Sequence, residues 1–293
     1  YGSDAIAGVV NFIMKRDFQG LQIDAQWGVN HHEQQNDTIQ GLIAARNFNA
    51  PKNSVWDGKS RDLSLVGGFN TADGRGNLTA YITYHDQDPV TYSTRDYAAC
   101  QLNVNAAGVP SCAGSSNSNI FYTSDGVSDA FAVVGSTFAP YSAAATTSPP
   151  SLFNANEFEY LLHQDTRYAA GFFARYDVNE HFNLYSDFAF MNDRSTTQVA
   201  ASGLFQGSGV TDLGGFQVNC SNPLLSAQQL TTLQGQGYCA NPATDNVDLT
   251  IGRRNIEGGP RQSFYEHQNY RIVVGSRGVI SDPEVWRRVL EEV

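Results

Sequence analysis

From Gly20 onward the chain repeats one pattern, a strict alternation of apolar and polar residues in short runs. Leu21, Ile23, Ala25, Trp27 and Val29 are apolar, while Gln22, Asp24, Gln26 and Asn30 between them are polar. Side chains of a strand point alternately to opposite faces. One face of this segment therefore meets apolar surroundings and the other meets water. The pattern returns at Leu63, Leu65, Gly67 and Phe69, opposite Asp62, Ser64 and Asn70, and again at Leu78, Ala80, Ile82 and Tyr84, opposite Thr79, Thr83 and His85. Ala72-Asp73-Gly74-Arg75-Gly76 joins those two runs as a tight turn, its glycines free to take positive φ. A second hairpin places Tyr168, Ala170, Phe172, Ala174 and Tyr176 on one face, turns around Asn179, and continues with Phe182, Leu184, Phe188 and Phe190. A sixth strand is expected near Glu266 to Gly275, with Tyr270, Ile272 and Val274 on its apolar face. The expected fold class is all-β and antiparallel.

Connection lengths alternate too. The Asp73 and Asn179 turns are short, whereas Asn30 to Lys59, Val90 to Gln164 and Ser195 to Pro260 are long and polar, with short helices expected at Asp37 to Phe48 and Ser226 to Leu233. Short turns at one end and long loops at the other are the asymmetry of outer-membrane barrels, and Tyr176 and Phe182 stand at the turn end, where an interfacial girdle belongs. The expected architecture is a partial transmembrane antiparallel β-barrel with long extracellular loops. A mean hydropathy of -0.34 is that of a polar chain, and no apolar run is long enough for a transmembrane helix. It leaves membrane strands open, because only alternate residues face lipid. A secreted soluble β-sandwich that binds carbohydrate is the alternative; it requires the Leu21 to Val29 face to be buried against a second sheet.

A net charge of -11 argues against nucleic acid, whose phosphates require clustered Lys and Arg. The cysteines fall as two local pairs, Cys100 with Cys112 and Cys220 with Cys239, with no His between the members of either pair. Two short-loop disulfides in an oxidising compartment are expected rather than a zinc site. Gly58-Lys59-Ser60 lacks the glycine that a phosphate loop needs five positions earlier, where Asn53 stands, and Gly207, Gly209, Gly214 and Gly215 have the wrong spacing for a dinucleotide site. Adjacent His31 and His32 point opposite ways in an extended chain, and Asp245 and Asp248 lack an EF-hand-like run. No catalytic set, metal site or cofactor is expected, and the chain does not read as an enzyme. Strand parity places Asp24, Gln26, Thr83, His85, Arg175, Asp187 and Arg271 on the polar, lumen-facing side. There they contact whatever fills the lumen, or a passing solute. Tyr92 and Tyr97, with Phe121, Tyr122 and Tyr141, are outer-loop aromatics able either to stack on a ligand or to pack the loops.

The segment Tyr1-Gly2-Ser3-Asp4-Ala5-Ile6-Ala7-Gly8-Val9-Val10-Asn11-Phe12-Ile13 closely resembles the end of the plug domain in TonB-dependent outer-membrane receptors. Lys15 to Leu21 resembles the crossover from plug to first barrel strand, and both Asp73-Gly74-Arg75-Gly76-Asn77 and Arg253 to Arg261 look like that family. The resemblance spans about Tyr1 to Ile280. It implies a barrel of about 22 strands closed by an N-terminal plug. It further implies energy-coupled uptake of a scarce nutrient (a ferric siderophore, cobalamin or an oligosaccharide) in the outer membrane of a Gram-negative bacterium. The implied partners are outer-membrane lipid, the small nutrient ligand, and TonB with its inner-membrane energising complex. A passive pore or adhesin barrel would carry no plug.

On this reading residues 1–16 end a plug domain and residues 17–280 form the first barrel strands and their loops. The opening at Tyr1, without Met or an apolar leader, reads as an internal segment, with the signal peptide, the TonB box and most of the plug expected upstream. The family pattern asks for another strand after Gly278. Residues 281–293 read instead as a helical tail, with Asp282 as N-cap, Pro283 at the first position and Val285, Trp286, Val289 and Leu290 on one face.

Overall fold

The structure is a computed structural model that describes residues 13–104, 107–115, 117–123, 126–141, 152–204 and 216–278. The plug-like segment, with Gly2 to Asn11, and the helical tail 281–293 lie outside the described residues. Strands hold 58 % of what is described, and all of their pairings are antiparallel, so the chain is all-β.

Six long strands make the main sheet: β1 (Gly20–Glu33), β2 (Ser54–Asn70), β3 (Gly76–Gln87), β4 (Gln164–Asn179), β5 (Phe182–Val199) and β6 (Arg261–Gly278). They lie side by side in chain order, each antiparallel to the next, and among the described residues the sheet does not close, leaving β1 and β6 as edges. The pairing register fixes the faces. Ile23, Leu65, Ile82, Ala170, Phe190 and Tyr270 form one continuous row across all six strands. Rows of the same parity hold Leu21, Ala80, Phe172, Phe188 and Ile272, then Phe69, Leu78 and Val274 toward the short turns.

This face is uncovered. Leu21, Ile23, Trp27, Ile82, Ile272 and Val274 are each 60–76 % exposed, so among the described residues no second sheet of the kind a sandwich needs packs on them. The apolar band has defined borders. Beyond the neighbouring Tyr84 and Tyr168, whose rings are tilted at 42° with centroids 5.1 Å apart, the next row is charged, with Arg61 paired to Asp86 and Arg194 to Glu266. At the other border stand Tyr176 and Phe182. From Tyr168 to Tyr176 the strand covers about 27 Å, or roughly 20 Å along the normal to a layer crossed at a tilt near 40°.

The strands run past the alternation that announces them. β1 continues to Glu33 and β2 begins at Ser54, so the first long connection is residues 34–53 rather than Asn30 to Lys59. Ladder hydrogen bonds do not depend on side-chain polarity, so pairing persists where the apolar stripe stops. The register shifts between Gly28 and Asn30, a bulge that interrupts the alternation at Val29. At the opposite end, Gly74 at φ 71° makes the tight β2–β3 turn possible. Asp73 there accepts hydrogen bonds from Thr71, the Arg75 backbone and guanidinium, and Tyr176 of β4. These donors hold its carboxyl well below the usual carboxylate range.

The long connections are folded, not open loops. Of sixteen strands among the described residues, ten lie outside the main sheet. Asn119–Thr123 pairs with Asn246–Arg254, joining the second connection to the third in one small sheet. Phe131, Phe138, Leu233, Val247 and Leu249 pack around the Cys220–Cys239 disulfide as its core. A second core gathers Ile43, Phe48 and Ala99 around Cys100–Cys112, so both expected disulfides are formed. Both expected helices are present as α1 (Asp37–Ala45) and α2 (Ala227–Gly235). Nine residues make a marginal helix in isolation. The Asn36 cap on α1, the Ser226–Gln229 capping box on α2, and burial of Ile43 and Leu233 to 0 % exposure hold them.

A clasp ties the first connection to the second. Asp96, 3 % exposed, accepts from the Asn36 and Tyr97 backbones, and Gln34 bridges Thr94 and Asp96. Burial alone pushes the Asp96 carboxyl up, but those N–H groups together with His32 and Gln40 more than offset it, leaving its pKa below the ordinary value. A carboxyl lowered on folding contributes stability above its unfolded value of about 3.9 and loses it as pH falls through the folded pKa. Amide exchange at Asn36 and Tyr97 is therefore expected to accelerate only below about pH 4. In Asp96→Asn that acid step should vanish; a step that survives would assign it to another group.

Candidate functional site

The opposite, polar face of the main sheet carries the residues that sequence parity selected. Asp24, Thr83 and Asn269 share one row, and Gln26, Asp62, His85, Arg167, Asp193 and His267 form the next, crossing all six strands. Arg271, Asp187 and Arg175 sit in further rows of the same parity. All of these lie on one face, opposite Ile23 and Ile82.

The structure sorts them into two groups. Toward the long connections, His85 Nδ1 lies 2.7 Å from Asp62 Oδ1 and its Nε2 lies 3.8 Å from Asp165, which also pairs with Arg167 at 2.9 Å. Sequence reading found His85 and missed Asp165, Arg167 and Asp193, because only the register shows that four adjacent strands bring them together. Asp24 accepts from Gln22 at 2.7 Å within its own strand.

Toward the short turns, Arg175 and Asp187 are engaged by the chain itself. The linker that enters β1 lies across the polar face, with Arg16 2.9 Å from Asp187, Asp17 paired with Arg175, and the Arg16 guanidinium 5.0 Å above the Phe173 ring. The Phe18 N–H donates to Thr79 Oγ1 at 3.0 Å, and Asn77 Nδ2 donates to the Phe18 carbonyl at 2.9 Å. Thr79, Asn77, Asp187 and Phe173 beneath it are each 1–8 % exposed, in a sheet whose other residues are mostly open. Asn77 and Thr79 were not singled out from sequence; a pair of small polar residues in an alternating strand gives no distinctive signal.

Gly68 makes the seat possible, since a Cβ there would stand 2.2 Å from the Phe18 carbonyl oxygen. Gly68→Val should lift the linker at a cost of about 1–3 kcal/mol. Trypsin cleavage after Lys15 and Arg16 is the readout. Faster cutting is expected, and an unchanged rate would mean the linker does not rest on Gly68.

On the far side of the long connections, Tyr97 is 51 % exposed and edge-on to His32 at 5.5 Å, and Tyr92 opens a short helical turn with its ring partly buried. Tyr141 is partly buried against Ala130, and the side chains of Phe121 and Tyr122 lie outside what is described. Among the described residues no group of His, Cys, Asp or Glu is placed to hold a metal ion, and no helix is long and apolar enough to cross a membrane. Comparisons with protein-family models, with curated proteins and with solved structures find no match.

Proposed function

We propose that this chain is the first part of the wall of a TonB-dependent outer-membrane receptor, together with the end of the plug that closes its lumen. The carrying observation is the two-faced sheet. Its apolar face is bordered by aromatic and then charged rows and is covered by none of the described residues, while its polar face is where the linker from the plug-like segment is seated. About nine large apolar side chains on the open face, at roughly 2 kcal/mol each on removal from water, represent on the order of 20 kcal/mol of unused driving force. That exceeds the net stability of an ordinary domain, so lipid is the environment that suits this face. The two unpaired edges call for further strands of the same barrel.

In this reading the short turns are periplasmic and the disulfide-bearing connections extracellular. Residues 1–16 end the plug and residues 17–280 supply the first strands and loops. The small nutrient ligand is drawn inward when TonB, powered from the inner membrane, pulls the plug. Arg16 and Asp17 then hold the plug's trailing end to the barrel wall.

The test is uptake by cells expressing the complete protein that contains this chain. Saturable uptake that disappears with a protonophore and in cells without TonB is expected. Uptake indifferent to both would favour a passive pore.

A further inference from the structure

The three long connections meet around a cleft of about 370 Å³, within the range of small-molecule sites. Its walls come from all three: Asn49 after α1, Phe153 to Phe158 from the second, and Arg253 to Glu257 from the third. The wall is preformed, because Asn154, 5 % exposed, donates to the Ala99 carbonyl at 2.7 Å, and Asn156 to Ala98 at 2.7 Å.

The charges lining the cleft cancel. Arg253 is 2.6 Å from Glu257, and Glu157 accepts from Asn49 at 3.2 Å. Arg254 lies 4.9 Å over the Phe153 ring and donates to the Ala201 carbonyl at 3.0 Å. Two guanidiniums face two carboxylates, so a multiply charged ligand meets no net attracting field. Phe153 is already engaged, stacked on Phe158 with centroids 5.6 Å apart and with the Arg254 guanidinium 4.9 Å over its ring, so a planar aromatic ligand would compete with contacts already made.

What remains accessible is a mixture of amide, carboxylate and guanidinium groups beside Leu152 and Ile256. A hydroxyl both donates and accepts, so it can satisfy each of these in turn, and the apolar pair suits the C–H faces of a saturated ring. We infer that this cleft binds a neutral, polyhydroxylated ligand of the carbohydrate class, with Asn49, Glu157 and Glu257 as its polar contacts. The inference rests on the receptor reading, which puts these connections outside the cell.

The complete protein in detergent micelles is applied to an array of neutral and acidic oligosaccharides, and titrated in parallel with ferric 2,3-dihydroxybenzoate and cyanocobalamin. Binding to neutral glycans is expected, weakened about tenfold in both Glu157→Gln and Asn49→Ala. Binding only to the ferric complex or cyanocobalamin, preference for acidic glycans, no binding, or neutral-glycan binding unchanged in both variants would each overturn it. Near-ultraviolet circular dichroism, unchanged in the variants, separates lost contacts from lost folding. Partition of the same sample into a detergent phase reads the membrane assignment separately, so either idea can fail without the other.

Discussion

Arg in place of Ile82 should lower the stability of the lipid-embedded protein by about 2–4 kcal/mol, whereas Arg in place of Thr83, one residue along, should cost less than about 1 kcal/mol. Ile82 is 60 % exposed and stands in the apolar row with Ile23, Leu65 and Phe190. On the proposed membrane reading an Arg there is buried in hydrocarbon or drags water inward. Thr83 shares its row with Asp24 and Ser64 on the polar face, where a guanidinium finds carboxylates and water. The helix and strand propensities of the two substitutions are nearly the same, so the difference between the two variants isolates the side of the sheet. Equilibrium unfolding in lipid vesicles measures it. Equal costs at both positions would mean the apolar face does not contact lipid.

Loss of the Cys220–Cys239 bond should remove about 3 kcal/mol from the folded outer region and leave the main sheet standing. The bond closes a loop with a sequence separation of 19, and cross-linking a loop of that length restricts the unfolded chain by roughly that amount. Both cysteines are 2–3 % exposed inside the core that holds Phe131, Leu233 and Val247, so Ser at either site also places a hydroxyl there. The core joins the second and third connections, and it unfolds as a unit when the cross-link goes. Limited proteolysis after reduction should cut residues 216–254 first, with β3, β4 and β5 protected. Simultaneous loss of the whole sheet would show that the outer region and the sheet are one cooperative unit.

The six-strand frame was legible because apolar and polar positions alternate, and Ile23, Ile82, Phe172 and Ile272 each announced a face. The same parity assigned Asp24, His85, Arg175, Asp187 and Arg271 to one face of the sheet, and the pairing register places them on one face. What parity cannot supply is register: nothing in the sequence says that Arg167 pairs with His85 and Asp193, or that Arg16 reaches Asp187. The outer region was legible only in its cysteines and two helix caps. Its strands are short, and the decisive pairing of Phe121 with Ile251 joins segments far apart in sequence, so local pattern presented them as polar loops.

The central claim is that one face of the main sheet meets lipid. It is tested most directly by placing single spin labels at each position from Leu78 to His85 in the complete protein, in outer membranes, and measuring accessibility to oxygen and to a water-soluble nickel reagent. Oxygen should dominate at Leu78, Ala80, Ile82 and Tyr84, and nickel at Tyr81, Thr83 and His85, while Thr79, beneath the linker, should be shielded from nickel. Uniform nickel accessibility at all eight positions, or its absence on both faces, would contradict the account.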